Sequence, residues 1–145
     1  GFEYFLNPSS ANVAFILNAK GELLVERRKN DPGKGTLDLP GGFADLGETA
    51  EEGVIREVFE ETGLKVTSCC YLFSLPNVYL YSGMNIRTLD LFFLCEVEDD
   101  TQLKAMDDAA ECMWLSPSDI HTEQFGLRSV RQGLYRFLKN RKEGK

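Results

Sequence analysis

Three glutamates stand close together in the middle of the chain, in a stretch whose apolar residues repeat with a helical period. At about 100° per residue, Glu57, Glu60 and Glu61 share one side of the predicted helix. Like charges on adjacent turns repel each other and need compensation. Divalent cations such as Mg²⁺ supply it, because they prefer carboxylate oxygens and bridge them to phosphates. The pattern favours metal-assisted phosphate chemistry, and a solvated charged face is the alternative.

The helix that carries these glutamates has clear boundary signals. Thr49 and Glu52 form a capping box at its start, and Gly63 suits its end. Gly53 lies one turn before Glu57, and a glycine inside a helix costs about 1 kcal/mol relative to alanine. We therefore expect another group to come close to the helix at Gly53. The buried stripe is predicted to consist of apolar residues at helical spacing: Val54, Ile55, Val58 and Phe59.

The composition excludes several other chemistries. Sixteen basic and 23 acidic residues give a formal net charge of −7, which argues against a nucleic-acid polymer as partner, since phosphate backbones require clustered Lys and Arg. The single histidine, His121, excludes a His-rich zinc site. No run approaches the roughly 20 apolar residues of a membrane helix. Four cysteines, none in a CxxC pair and three in apolar runs, predict reduced thiols and a cytoplasmic protein.

The elements around the helix follow a strand-like period of two. A length of 145 residues predicts a single domain, residues 1–145. Strands are predicted at 11–18, 23–28, 36–39, 66–75, 88–97 and 112–115. An aromatic loop is expected between the fourth and fifth of these strands, and an amphipathic helix from 127 onward. Strands with a few helices predict a layered α/β or α+β domain.

The segment from Gly42 to Leu64 resembles the Nudix box at every position that this 23-residue signature defines. The matching residues are Gly42, Glu48, Arg56, Glu57, Val58, Glu60, Glu61, Gly63 and Leu64. The preceding Leu39-Pro40-Gly41 and the flanking strands are also similar to a Nudix domain, so the resemblance covers nearly the whole chain. It implies a mixed β-sheet sandwiched between helices, with the box as a loop–helix–loop.

The resemblance also implies metal ligands, with Mg²⁺ or Mn²⁺ as the cofactor. Glu57 and Glu61 would be the main ligands, Glu60 a further one, and the Gly42 carbonyl a possible contributor. Glu48 and Arg56 would hold the loop and the helix together and so orient the ligands.

Many members of the family add an acidic residue from a late loop. The candidates in this chain are Asp107, Asp108 and Glu111. Glu111 is preferred because it stands in a Glu-x-x-Trp arrangement with Trp114, which is common in such domains.

The implied activity is that of a pyrophosphohydrolase. A metal-activated water would attack a phosphorus of a nucleoside diphosphate linked to another moiety, and Glu60 or Glu111 would take the proton of the water. A non-catalytic nucleotide sensor of the same fold is one alternative, although such modules usually lose box carboxylates. A nucleoside triphosphate pyrophosphatase is another. Many relatives pair as dimers, so a homodimer is possible.

The substrate depends on the segment after the box. Ser74, Pro76 and Ser82 match the motif of the NADH-pyrophosphatase-like branch, which has other residues missing here. Tyr81, 17 residues beyond Leu64, fits the tyrosine of dinucleoside-polyphosphate hydrolases. The proline of ADP-ribose enzymes is absent at its spacing. NAD(H), ADP-ribose and dinucleoside polyphosphates all stay open.

Five side chains are candidates for substrate contacts. Tyr79 and Tyr81 lie two residues apart, so in an extended segment they point to one face and would form a stacking surface for a base. Packing on the sheet is the alternative. Arg27, Arg28 and Arg87 are candidates for phosphate or ribose. Residues 1–8 resemble the segment that follows a zinc ribbon in the NADH-pyrophosphatase-like branch, which predicts such a module, absent from this chain. A natural N-terminal strand is the alternative.

Overall fold

The computed structural model describes residues 7–104 and 109–144 and contains seven strands and two α-helices within those ranges. The same ranges also contain three short 3₁₀ helices, at Asp100–Gln102, Pro117–Asp119 and Thr122–Gln124. The strands and helices are β1 (Ser9–Ile16), β2 (Leu23–Arg28), β3 (Leu37–Asp38), β4 (Gly41–Phe43), α1 (Ala50–Thr62), β5 (Val66–Tyr81), β6 (Met84–Val97), β7 (Ala109–Leu115) and α2 (Arg128–Lys142).

The strands form two sheets. The larger sheet has the order β4-β1-β6-β5 and is mixed, because β1 runs parallel to β6 and the other pairs are antiparallel. The smaller sheet has the order β3-β2-β7 and is antiparallel throughout. The strand β1 therefore joins β4, which leads into the loop before α1, to the long β5–β6 hairpin.

Alternating residues of the central strand fill two separate cores. Phe15 belongs to the core beside α2 and stacks on Phe137 with ring centroids 4.0 Å apart. Its neighbour Ile16 belongs to the core beside α1 with Val54 and Val58. Both faces of β1 are thus covered by helices, which confirms the predicted mixed sheet between helices.

The first helix has the predicted ends but a narrower buried face. The Thr49–Glu52 capping box is present, and Gly63 adopts the left-handed conformation with φ 75°. Ile55 and Phe59 are 40% and 47% exposed, so their assignment to the buried stripe was wrong. The buried residues of the helix are Gly53, Val54, Val58 and Thr62. Ile55 and Phe59 lie about 100° further round the helix, outside this narrow buried face. Among the described residues, no helix has the length and apolarity to cross a membrane.

The predicted aromatic loop after residue 75 is instead part of the β5–β6 hairpin. Only Ser82 and Gly83 turn the chain, with φ of 49° and 78°. Positive φ at both central residues suits a two-residue hairpin turn, whose twist matches that of the strands. The strand continues through Pro76 because β5 lies at the edge of its sheet, where a proline is tolerated. The short strand β4 was also not predicted.

Candidate active site

A cleft of about 400 Å³ opens where the two sheets meet. Carboxylates and glycines are among its lining residues, namely Glu26, Glu61, Gly41 and Gly42. Arg28, Asn77 and Tyr79 line it as well. The wall of the cleft therefore combines carboxylates with a guanidinium, an amide and an aromatic ring.

Glu61 enters the cleft from the last turn of α1. Its Oε2 accepts a hydrogen bond from the backbone N–H of Gly41 at 3.1 Å. Burial raises the pKa of Glu61, and the neighbouring Glu26 raises it further. Residue 41 must be glycine, because a Cβ there would lie 1.9 Å from the carbonyl oxygen of Asn12. The close pairing of β4 with β1 thus places the N–H that orients Glu61.

Glu57 lies against the next glycine. A Cβ on Gly42 would stand 2.8 Å from the carboxyl carbon of Glu57, so only a glycine leaves that carboxylate its place. Burial raises the pKa of Glu57, while the guanidinium of Arg56 counteracts the rise. The structure therefore brings together the Gly42 backbone, Glu57 and Glu61, three of the elements that the sequence assigned to metal binding.

Arg56 holds the acidic residues of this region together. Its guanidinium contacts Glu48 through two hydrogen bonds, from Nε to Oε2 at 3.0 Å and from Nη2 to Oε1 at 2.7 Å. Nη1 donates to Glu57 at 2.8 Å and to Glu60 at 3.1 Å. The hydrogen bonds from Arg56 to Glu48 lower the pKa of Glu48 to about 2. Glu48 also accepts from the N–H of Asp45, so the loop before α1 is tied to the helix.

Gly53 has the close neighbours that its position predicted. A Cβ there would lie 2.6 Å from Nδ2 of Asn12 and 3.0 Å from Oε1 of Glu48. The side chain of Asn12 is therefore packed directly against α1. This confirms that another group comes close to the helix at Gly53.

A buried carboxylate outside the predicted site also lines the cleft. Glu26 in β2 is 8% exposed, and in the described part of the chain its Oε2 has no hydrogen-bond partner. Burial raises the pKa of Glu26, and the nearby Asp38 adds to the rise. The carboxyl groups of Glu26 and Glu61 lie within hydrogen-bonding reach of each other. One signal for Glu26 existed in the sequence: it lies two residues after Leu24, on the strand face that packs against α1.

The donor set fits a hard divalent cation. As they stand, no three Asp, Glu, His or Cys side chains in residues 7–104 and 109–144 are grouped closely enough to hold a metal ion. Glu57 and Glu60 are instead paired with Arg56. All the donors are oxygens, which Mg²⁺ and Mn²⁺ prefer. The unpartnered buried oxygen of Glu26 is a polar group that a cation would satisfy.

The predicted substrate contacts are placed in part. Tyr79 lines the cleft, where its hydroxyl accepts from Nη2 of Arg28 at 3.1 Å and its ring meets Phe43 edge-on at 6.0 Å. Arg28 is fixed by Asp38 at 2.6 Å. Tyr81 ends β5, and its side chain is outside those that the structure describes. Phe43 was not anticipated and forms an aromatic wall with Tyr79.

Other predicted residues lie apart from the carboxylates. Glu111 stands opposite Arg27 in the β2–β7 pair and contacts its Nε at 2.5 Å. Because neighbouring residues of a strand point to opposite faces, this pair faces away from Glu26. Arg27 still lines the cleft, whereas Arg87 is exposed on β6 and is not part of its wall. Asp107, Asp108 and residues 1–6 lie outside the described residues.

Comparisons with known proteins agree with this arrangement. A family model of the NUDIX domain matches residues 6–138. An ADP-ribose pyrophosphatase of Methanocaldococcus jannaschii is 39% identical over 112 residues, which cover 76% of this chain and 63% of that protein. A mitochondrial NAD(P)H pyrophosphatase of Homo sapiens is 30% identical over 115 residues, which cover 79% of this chain and 32% of that protein.

A crystal structure shows the same fold. The NUDIX hydrolase from Nitrosomonas europaea matches with a TM-score of 0.77 at 21% identity, over 98% of this chain and 76% of that one. The chain spans less than two thirds of the length of both curated relatives named above.

Proposed function

The chain belongs to the NUDIX family, and on that premise we propose that it is a pyrophosphohydrolase that cleaves the diphosphate of a nucleoside diphosphate linked to another moiety. One observation carries the proposal: the carboxylates of Glu57 and Glu61 lie against the Gly41–Gly42 backbone beside a single cleft. Such a group of oxygens suits the cations that accompany a diphosphate.

Mg²⁺ or Mn²⁺ is the proposed cofactor. When bound, it would neutralise the charge of the diphosphate and activate water. Glu57, Glu61 and the carbonyl of Gly42 would hold it, and Glu60 would be a further ligand or the base. Arg56 would help to position these ligands, because its Nη1 donates hydrogen bonds to both Glu57 and Glu60.

In the proposed reaction the oxygen of a water molecule attacks one phosphorus, and the bond from that phosphorus to the bridging oxygen breaks. We propose that Glu60 accepts the proton of the attacking water, because this residue projects from the same helix as Glu57 and Glu61. Glu111 is the weaker assignment, since it is ion-paired with Arg27 on the other face of the strand pair. Measuring kcat for Glu60→Gln and for Glu111→Gln tests this choice. A much larger loss for Glu111→Gln would overturn it.

The proposed first substrate is ADP-ribose, with NADH as the second. The similarity to an ADP-ribose pyrophosphatase supports this order. In the cleft, Tyr79 and Phe43 would face the base or the ribose, and the guanidinium groups of Arg27 and Arg28 at the end of β2 would face phosphate. The absence of the proline expected of ADP-ribose enzymes makes a direct comparison of substrates necessary.

A panel assay tests the function. ADP-ribose, NADH, NAD⁺, diadenosine polyphosphates and nucleoside triphosphates would be offered with Mg²⁺ and with Mn²⁺, and the products resolved by chromatography. We expect turnover of ADP-ribose that is lost in Glu61→Gln. Binding of ADP-ribose without turnover of any compound would overturn catalysis and favour the sensor alternative. Turnover of triphosphates alone would make the protein a nucleoside triphosphate pyrophosphatase.

Two further proposals concern the setting of the enzyme. All four cysteines are free thiols, which supports a reducing, cytoplasmic location. Exposed apolar side chains on the β5–β6 hairpin support a homodimer; they are Val78, Leu80, Met84 and Leu89. Light scattering would measure the mass in solution, and a strictly monomeric mass would overturn the dimer.

A further inference from the structure

Glu26 is a buried carboxyl group whose Oε2 has no hydrogen-bond partner in the described part of the chain. It is 8% exposed and belongs to β2, outside the box that carries the other carboxylates. Leaving a buried carboxylate oxygen without a partner is costly, because the oxygen loses its hydration and gains nothing in return. The side chain lines the cleft, so the cost is incurred where a ligand would enter.

The one positive charge that acts on Glu26 is that of Arg28 among the described residues, and its guanidinium is engaged by other groups. Its closest carboxylate is Glu61, which carries the same charge and accepts from the N–H of Gly41. Arg28 is the nearest cation, but its three nitrogens are bound to Asp38, to the carbonyl of Pro32 and to Tyr79. Asp38 has its own partners, Arg28 and the N–H of Leu39. The arrangement leaves two adjacent carboxylates facing one cleft without a shared counter-charge.

From this geometry we infer that Glu26 and Glu61 share a divalent cation, so that β2 contributes an oxygen ligand from outside the box helix. The inference rests on the proposed function, since it assigns a further ligand to the same cofactor. Its carrying observation is the unpartnered Oε2 of Glu26 beside Glu61. A ligand on β2 would couple the small sheet, which carries Arg27 and Arg28, to the helix that carries the remaining carboxylates.

The experiment compares Mn²⁺ binding by the parent protein and by Glu26→Gln, in the absence of nucleotide. Isothermal titration calorimetry gives the affinity, and water-proton relaxation gives the number of exchangeable waters on the bound Mn²⁺. We expect Glu26→Gln to bind Mn²⁺ at least about tenfold more weakly. We also expect about one additional water on the bound ion, since a lost carboxylate ligand is replaced by solvent.

A matched control separates this effect from the loss of any one charge. Glu96→Gln removes an exposed carboxylate from β6, outside the cleft wall, and should leave both the affinity and the hydration unchanged. The melting temperature of metal-free Glu26→Gln should equal or exceed that of the parent, because the substitution removes repulsion from Glu61. If Glu26→Gln does not fold, Glu26→Asp decides the matter, since a shortened carboxylate should also weaken Mn²⁺ binding.

The contrary results are equally defined. Parental Mn²⁺ affinity in Glu26→Gln, or in Glu26→Asp if that variant is needed, would overturn the inference. A weaker affinity with unchanged hydration would also overturn it, because the effect would then be indirect. The proposed function is tested separately by hydrolysis in the parent. A parent that hydrolyses ADP-ribose while the Glu26 variants bind Mn²⁺ normally would leave the function intact and remove only the assignment of Glu26.

Discussion

The two adjacent glycines at the start of the box should respond to alanine in opposite ways. In Gly42→Ala the new Cβ would meet the carboxylate of Glu57, at 2.8 to 2.9 Å from its three terminal atoms. In Gly41→Ala the Cβ would meet the backbone carbonyl of Asn12 at 1.9 Å. The first obstacle is the end of a side chain, and the second is the backbone of the central strand. One substitution therefore displaces a functional group, and the other disrupts a strand pair.

The magnitudes follow from these contacts. To reach an ordinary contact of 3.4 Å, the carboxylate of Glu57 must move by about 0.6 Å. A displacement of about 1 Å at a catalytic centre costs up to roughly 100-fold, so we expect kcat/KM of Gly42→Ala to fall by about tenfold or more. Its stability should fall by less than about 1 kcal/mol. Gly41→Ala should lose at least about 3 kcal/mol, because overpacking against a fixed backbone is not relieved by a rotamer change.

Two measurements test this contrast. Hydrolysis of ADP-ribose with Mg²⁺ gives kcat/KM for Gly42→Ala, and thermal unfolding in a chelator gives both melting temperatures. We expect a decrease of roughly 10 °C for Gly41→Ala and of less than about 3 °C for Gly42→Ala. Parental kcat/KM in Gly42→Ala would refute the reasoning, because Glu57 would then have no fixed place. Equal destabilisation of the two variants would refute it as well.

The remaining predictions concern the pH dependence of stability, Arg56, and Tyr79 of the aromatic wall. Burial and the proximity of Glu26 raise the pKa of Glu61 above its unfolded value, so the folded protein binds the proton more tightly and the stability of the metal-free protein should fall as the pH rises from about 5 to about 8. Glu61→Gln should flatten this fall in denaturant titrations with a chelator, and an unchanged slope would contradict the assignment. Arg56→Lys loses the paired hydrogen bonds to Glu48 and should lower Mn²⁺ affinity by about tenfold in calorimetry, whereas parental affinity would show that the pairing does not position the ligands. Tyr79→Phe removes the hydroxyl that binds Arg28 and should raise KM about fivefold with little change in kcat; a fall in kcat alone would place Tyr79 outside substrate binding.

The carboxylates of the box could be predicted because the regular period of an α-helix fixes the directions of its side chains. The spacing from Glu57 to Glu61 sets their direction whatever the rest of the chain does, and the capping box fixed the start of the helix. The family resemblance that this spacing suggested is confirmed by the NUDIX match over residues 6–138.

The features that were missed depend on contacts across the fold. A single acidic residue near the end of an apolar strand is normally exposed to solvent. Glu26 is buried because α1 packs over that face of β2. A loop was predicted after residue 75, but β5 runs on through Pro76 because an edge strand accommodates a proline, and edge position is a property of the whole sheet. The exposure of Ile55 has the same origin: the period of a helix gives the direction of its residues, not the width of the surface that receives them.

The parallel pairing of β1 with β6 has a consequence for how the protein folds. Ser9 pairs with Thr88 and Ile16 with Cys95, so most of the chain separates the two partners. Closing so large a loop costs entropy before any contact repays it, which makes this pairing slow compared with the local β5–β6 hairpin. The hairpin should therefore form first and offer β6 as a template on which β1 docks. Because β1 in turn positions β4 and hence Gly41 against Glu61, the acidic cleft would be among the last parts of the molecule to assemble.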